Sequence, residues 1–159
     1  MKPLVVIIMG SRSDEPHCQK IAAAARSFAL DTVLYVGSAH KTPRHLLEVL
    51  AQCEQDERPK VYITVAGRSN ALSGFVDGAV SAPVIACPPL SDTFAEVDLF
   101  SSLRMPSGIA PALVLDPANA ALLAAKILGA SDEKVRSTVH AFQQAQVDKI
   151  IKDNSEMLS

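Results

Sequence analysis

The sequence has few aromatic residues and almost no charge imbalance. Aromatic side chains make up 4% of its 159 residues, and tryptophan is absent. Proteins that bind single-stranded nucleic acid stack bases on exposed rings, so this scarcity argues against such a platform. The formal net charge is -2, which provides no positive field to attract a polyanion. We therefore expect a small-molecule partner and no nucleic acid.

Cysteines and long apolar segments are also scarce. Cys18, Cys53 and Cys87 are odd in number and form no Cys-x-x-Cys pair, which favours reduced thiols over a disulfide or zinc framework. Because Cys87 has no adjacent histidine to activate it, we expect an inert structural thiol. The first apolar run, Leu4 to Met9, is too short for a signal sequence or a membrane span. These features predict a cytoplasmic protein that does not enter a membrane.

Short apolar runs alternate with helical patterns along the chain. The predicted strands cover 4–9, 32–36, 61–66, 83–86 and 112–115, and the predicted helices begin near Pro16, Pro43, Asn70 and Ala118. Thr42 is expected to cap the second of these helices, and the third is expected over 70–80. This alternation predicts a parallel sheet with helices on both faces. About five strands favour a flavodoxin-like three-layer αβα sandwich with a doubly wound sheet. We expect a single α/β domain over residues 1–159.

The last helical pattern is longer than the others. It follows Gly129, which is expected to end the preceding helix, and residues 131–152 place Val135, Val139, Phe142 and Ile150 on roughly one stripe. About 20 helical residues extend roughly 30 Å. Such an extended C-terminal helix can fold over its own domain or reach a neighbouring subunit. We predict that it takes part in oligomer contacts.

Three polar loops follow the first three predicted strands. They read Gly10-Ser11-Arg12-Ser13-Asp14, Gly37-Ser38-Ala39-His40-Lys41-Thr42-Pro43 and Ala66-Gly67-Arg68-Ser69-Asn70. In open α/β sheets, ligands bind outside the carboxyl ends of the strands, so these loops are expected to converge. The first loop offers N–H groups, hydroxyls and a helix N-terminus to an anion, without a dinucleotide or P-loop pattern. Asp14 either caps the helix or accepts hydrogen bonds from sugar hydroxyls.

The second loop adds a cation and a histidine. Lys41 beside Ser38 strengthens the prediction of a phosphate site. His40 is the one histidine expected at the carboxyl edge of the sheet, and histidine has a reference pKa of roughly 6.5, which suits general acid–base chemistry. The other histidines fall in helix patterns and are interpreted as surface or packing residues: His17, His45 and His140. No set of residues has the spacing of a metal site.

Together these motifs resemble the PurE family of purine biosynthesis. The strings that carry the resemblance are Met9-Gly10-Ser11-Arg12-Ser13-Asp14, Ser38-Ala39-His40-Lys41-Thr42-Pro43, Met105-Pro106-Ser107-Gly108 and Pro117-Ala118-Asn119-Ala120-Ala121. The family's mutase branch typically has arginine where this chain has Lys41, and a second histidine where it has Ala71. The strings Ala66-Gly67-Arg68-Ser69-Asn70, Cys87-Pro88-Pro89 and Ser101-Ser102-Leu103-Arg104 instead resemble the class II branch, which uses free CO2.

The resemblance implies a carboxylase acting on 5-aminoimidazole ribonucleotide (AIR). The reaction would add CO2 at C4 and give 4-carboxy-5-aminoimidazole ribonucleotide (CAIR) for IMP biosynthesis, without a metal or cofactor. It would be reversible. His40 would act as the acid–base group. The ribose phosphate would be held by Ser11, Ser13, Asp14, Ser38 and Lys41, and the base or CO2 would be approached by Gly67 and Ser69.

Further implications concern assembly and alternatives. Family members are homo-oligomers, so an octamer or a tetramer is expected. Arg68 could orient a carboxylate or form a subunit salt bridge. The nearest alternative activity is the mutase, which uses the N5-carboxylated ribonucleotide. An alternative from another class is a flavodoxin-like or receiver-like binding module, although the loops lack the aromatics of a flavin site and the acidic cluster of a receiver.

Overall fold

The computed structural model describes residues 1–90 and 97–158. Its strands are β1 Leu4–Met9, β2 Asp31–Val36, β3 Lys60–Val65, β4 Val84–Ala86 and β5 Ala112–Leu113. Its helices are α1 Glu15–Ser27, α2 Pro43–Glu54, α3 Leu72–Asp77, α4 Phe100–Leu103, α5 Pro117–Leu128 and α6 Glu133–Met157. The strands are parallel and lie in the order β2-β1-β3-β4-β5. The predicted flavodoxin-like, doubly wound sheet is confirmed.

The central strands are buried on both faces, as their continuous apolar sequences require. Every residue of β1 is buried, and alternate side chains point to opposite helix layers. Val5 and Ile7 pack in one core with α1, α5 and the start of α6. Val6 and Ile8 pack in a second core with α2 and α3. The order of the strands reverses beside β1, which places the carboxyl ends of β1, β2 and β3 next to one another.

Most predicted boundaries lie within two residues of the observed ones, with two larger differences. The helix predicted over 70–80 is confined to α3, because the Asn70 side chain accepts a hydrogen bond from the Ser73 amide (3.2 Å) and so precedes the first helical turn. The last helix continues to Met157, well beyond the predicted end at 152.

Gly129 ends α5 for a reason different from the expected one. Its φ is -67°, so it is not in the left-handed conformation that usually selects glycine at a helix end. A Cβ at Gly129 would lie 2.9 Å from the Ala125 carbonyl oxygen and 3.2 Å from Arg136 Cα. Glycine is therefore needed because the start of α6 packs against the end of α5.

Helix α6 divides into a packed half and an exposed half. Val135 and Val139 are buried in the core of the domain, and the Phe142 ring meets the Phe28 ring edge-on at 5.3 Å. Beyond that contact every described residue is exposed, including Ile150 and Ile151 at 67% and 60%. None of the helices in the described ranges is long and apolar enough to cross a membrane.

Candidate active site

The three polar loops meet at one cleft of about 650 Å³. It lies where the strand order reverses, as expected for a doubly wound sheet. All the predicted site residues line it: Ser11, Ser13, Asp14, Ser38, His40, Lys41, Gly67 and Ser69. Residues that were not predicted also contribute, among them Leu72 and Pro89. The arrangement therefore brings together hydroxyls, one carboxylate, one imidazole and two cations.

The first loop turns sharply before α1 begins. The Ser11 hydroxyl accepts hydrogen bonds from the Ser13 amide (3.3 Å) and the Ser13 hydroxyl (3.0 Å). Asp14 occupies the N-cap position of α1 but makes no capping hydrogen bond with its side chain. Burial raises the pKa of the Asp14 carboxyl, while nearby His17 opposes this shift. Of the two roles considered for Asp14, capping is not the one that the geometry supports.

The second loop is held by its own hydrogen bonds. The Thr42 hydroxyl accepts from the Ser38 amide at 3.0 Å, and the Ser38 hydroxyl accepts from the Lys41 amide at 3.2 Å. Thr42 was expected to cap α2, but its side chain makes no capping bond and closes this loop instead. His40 lies exposed between these bonded residues, on the cleft.

The electrostatics of the cleft favour an anion. Lys41 and Arg68 line it and are exposed, and within residues 1–90 and 97–158 no carboxylate forms an ion pair with either. Helices α1 and α2 begin directly after the first and second loops, so their N-termini add partial positive charge at the same edge. A ligand that carries a phosphate and several hydroxyls matches this combination of groups.

The third loop depends on residues that lie far away in the sequence. Arg68 has a left-handed backbone, with φ of 59°, and its amide donates to Asp98 Oδ2 at 2.9 Å. The Ser101 hydroxyl accepts from the Asn70 amide at 2.9 Å. Its one proton is shared between the Asp98 carbonyl at 2.7 Å and the Arg68 carbonyl at 3.3 Å. Sequence reasoning noted Ser101 only as part of a family string and gave no role to Asp98, since no local pattern marks either residue.

The prediction for Cys87 needs a correction. The sequence indicated no histidine beside this thiol, but His17 Nε2 lies 3.4 Å from Cys87 Sγ. Burial raises the pKa of Cys87 to about 12, so the thiol stays protonated and a weak nucleophile despite the contact. Burial also lowers the pKa of His17. The proposed packing role of His17 agrees with this position.

The sheet and the cleft at its reversal point define an α/β protein with a small-ligand site. A family model described as AIR carboxylase matches residues 4–149. The chain is 54% identical to "Phosphoribosylaminoimidazole carboxylase" of Treponema denticola, covering 99% of both chains. It is 52% identical to the protein of that name from Archaeoglobus fulgidus, covering 96% of this chain and 83% of that one. The chain belongs to the AIR carboxylase family.

One solved structure and one larger relative are also similar to this chain. The crystal structure of Treponema denticola PurE superimposes with a TM-score of 0.95 at 54% identity, covering 98% of each chain. A human bifunctional phosphoribosylaminoimidazole carboxylase/phosphoribosylaminoimidazole succinocarboxamide synthetase is 44% identical over 137 residues. The match covers 86% of this chain and 32% of the human protein, so the resemblance there is to one part of a larger polypeptide.

Proposed function

We propose that this protein catalyses the reversible carboxylation of AIR at C4 by CO2, giving CAIR for IMP biosynthesis. The observation that carries the proposal is the cleft at the carboxyl edge of the sheet, where His40 and Lys41 lie together with the hydroxyls of the first loop. Two relatives named as phosphoribosylaminoimidazole carboxylases, which match 99% and 96% of this chain, support the same reaction.

Substrate binding uses the two sides of the cleft differently. Lys41, the serine hydroxyls of the first two loops and the N-termini of α1 and α2 bind the phosphate of AIR. Asp14, with no capping bond to occupy it, accepts hydrogen bonds from the ribose hydroxyls. Gly67 and Ser69 lie along the aminoimidazole and CO2, which places the reacting carbon near His40. No metal or cofactor takes part in the proposal.

The chemistry follows from the electron-rich aminoimidazole. The electron pair at C4 attacks the carbon of CO2, forming a C–C bond while one C=O pair moves onto oxygen as carboxylate. The adduct still carries the C4 proton, and His40 takes that proton so that the ring becomes aromatic again. In the reverse direction protonated His40 returns the proton to C4 and CO2 departs. General acid–base catalysis of this kind contributes roughly 10²- to 10⁴-fold.

The test is an assay of purified protein with AIR and inorganic carbon. We expect the initial rate of CAIR formation to be higher when carbon is added as CO2 than as the same amount of bicarbonate, and carbonic anhydrase should abolish the difference. His40→Asn is the matched variant, since it keeps a polar side chain that cannot carry the proton. It should lower kcat at least 100-fold and leave AIR affinity within a few-fold.

Three kinds of result would contradict the proposal or a part of it. Conversion of only the N5-carboxylated ribonucleotide, with no reaction of AIR and CO2, would assign the chain to the mutase branch. Retention of most turnover by His40→Asn would remove His40 from the proton transfer. A protein purified with bound flavin, or one phosphorylated stably on an aspartate, would instead favour the binding-module alternative.

We further propose a cytoplasmic homo-oligomer built from one domain over 1–159. The exposed second half of α6 supports assembly, because Val147, Ile150 and Ile151 expose between 50% and 67% of their surface on an unpacked helix. Residues 131–152 therefore make subunit contacts in a tetramer or octamer. Three buried cysteines without a disulfide agree with a reducing compartment. Light scattering should give the mass of at least four chains, and a mass of one chain would contradict the assembly.

A further inference from the structure

We infer that Asp98 is a positioning residue, which holds the third loop (residues 66–70) in the shape that the reaction requires. The inference rests on the proposed function. Asp98 does not line the main cleft, yet its carboxylate accepts the amide of Arg68, the central residue of this loop, at 2.9 Å. Gly67 and Ser69, on either side of Arg68, both line the cleft.

The first reason to assign Asp98 a positioning role is the backbone conformation of Arg68. A φ of 59° places it in the left-handed region, which costs a residue with a side chain about tenfold or more relative to the right-handed one. Glycine would adopt this backbone freely, and arginine is not among the residues enriched there. Such conformations persist only where surrounding contacts enforce them, and they concentrate at functional sites. Arg68 itself lines the cleft, so the position keeps a side chain there despite the cost.

The second reason to assign Asp98 a positioning role is that the contacts holding the third loop come from the segment of the chain that contains Asp98. Residues 98–102, which we call the bracing segment, make four hydrogen bonds to Arg68 and Asn70 across 30 to 33 positions of sequence. Asp98 contributes the one that is charge-assisted, which is roughly twice as strong as a neutral bond. Buried Asn70 is fixed through Ser102, whose hydroxyl accepts from Asn70 Nδ2 at 2.9 Å. The loop is therefore held by a segment distant in sequence.

The test compares variants at Asp98 with a matched control at Asp77. Asp77 Oδ2 also accepts a backbone amide, that of Ala110, at 2.8 Å, but Asp77 lies away from the cleft. We expect Asp98→Ala to lower kcat/KM for AIR about ten- to hundredfold, mainly through kcat, because small misplacements near reacting atoms carry losses of this size. Asp98→Asn keeps an oxygen acceptor and should recover most of the rate. Asp77→Ala should stay within threefold of the parent.

A double-mutant cycle separates positioning from direct action of the charge. In an Arg68→Gly background the left-handed backbone needs no enforcement, so adding Asp98→Ala should lower kcat/KM by less than threefold. The affinity for ribose 5-phosphate, which probes the other side of the cleft, should be unchanged by Asp98→Ala. Amide hydrogen exchange of the peptide containing Arg68 should be faster in Asp98→Ala and close to the parent rate in Asp98→Asn.

The outcomes distinguish this inference from the proposed function. An unaffected Asp98→Ala enzyme, an Asp98→Asn enzyme as impaired as Asp98→Ala, or an equal loss in the Arg68→Gly background would each overturn the positioning role. A parent protein inactive on AIR and CO2 would overturn the proposed function instead. In that case the exchange rate of the Arg68 peptide still decides whether Asp98 holds the loop.

Discussion

The second and third loops of the cleft are both held by hydrogen bonds, but the bonding partners lie at different distances in the sequence. The loop that carries His40 is closed by bonds between residues three or four positions apart, joining Ser38 to Lys41 and to Thr42. The loop that carries Arg68 is closed by the bracing segment, 30 to 33 positions away. The bonds of the second loop join residues that are close in sequence. The bonds of the third loop can form only after folding has brought residues 98–102 beside it. His40, the residue proposed to transfer the proton, thus lies on the loop that is held by bonds between its own residues.

Removing one local bond of the second loop is expected to weaken the binding of AIR, by less than Asp98→Ala is expected to lower kcat/KM. Thr42→Val keeps the shape of the side chain and removes the hydroxyl that accepts the Ser38 amide. Because a hydrogen bond of this kind contributes about 1 kcal/mol, we expect KM for AIR to rise roughly fivefold and the free energy of unfolding to fall by about 1 kcal/mol. Steady-state kinetics and urea denaturation measure the two changes.

Thr32→Val is the matched control for this substitution. The Thr32 hydroxyl is buried and has no hydrogen-bond partner among the described residues, so its removal relieves an unpaired polar group. We expect unchanged kinetics and equal or greater stability. If Thr42→Val behaved like Thr32→Val, the second loop would not depend on its internal bonds.

The contrast between the loops also explains what the sequence could predict. Strand patterns, and the rule that ligands bind where strand order reverses, are enough to predict that His40 and Lys41 lie at one cleft. Asp98 could not be found this way, because its partner is a backbone amide distant in sequence and a backbone amide leaves no residue-type pattern. The contact of His17 with Cys87 was missed for a related reason, since it joins α1 to the residue after β4 and no local spacing marks it.

Ala29 is a second residue with a left-handed backbone, and replacing it is expected to have the smallest effect of the substitutions considered. Ala29 has φ of 62°, close to that of Arg68, but it lies just after α1 and away from the cleft. Its amide donates to Arg26 O at 3.1 Å and the next amide, of Leu30, donates to Ala25 O at 3.3 Å, the pattern of a helix end that usually has glycine at this position. Local bonds alone enforce the conformation here.

Ala29→Gly should therefore remove the free-energy penalty of the left-handed backbone without affecting the cleft. The left-handed penalty of roughly 1–2 kcal/mol is partly offset by the greater freedom of glycine in the unfolded chain, so we expect stability to rise by about 0.5–1 kcal/mol with unchanged kinetics. Urea denaturation and the CO2-dependent assay check both. At Arg68 the same substitution to glycine also removes a cationic side chain from the cleft, so a gain in stability there should come with a loss of activity. Equal kinetic behaviour of the two glycine variants would mean that the cationic side chain of Arg68 contributes nothing to the reaction.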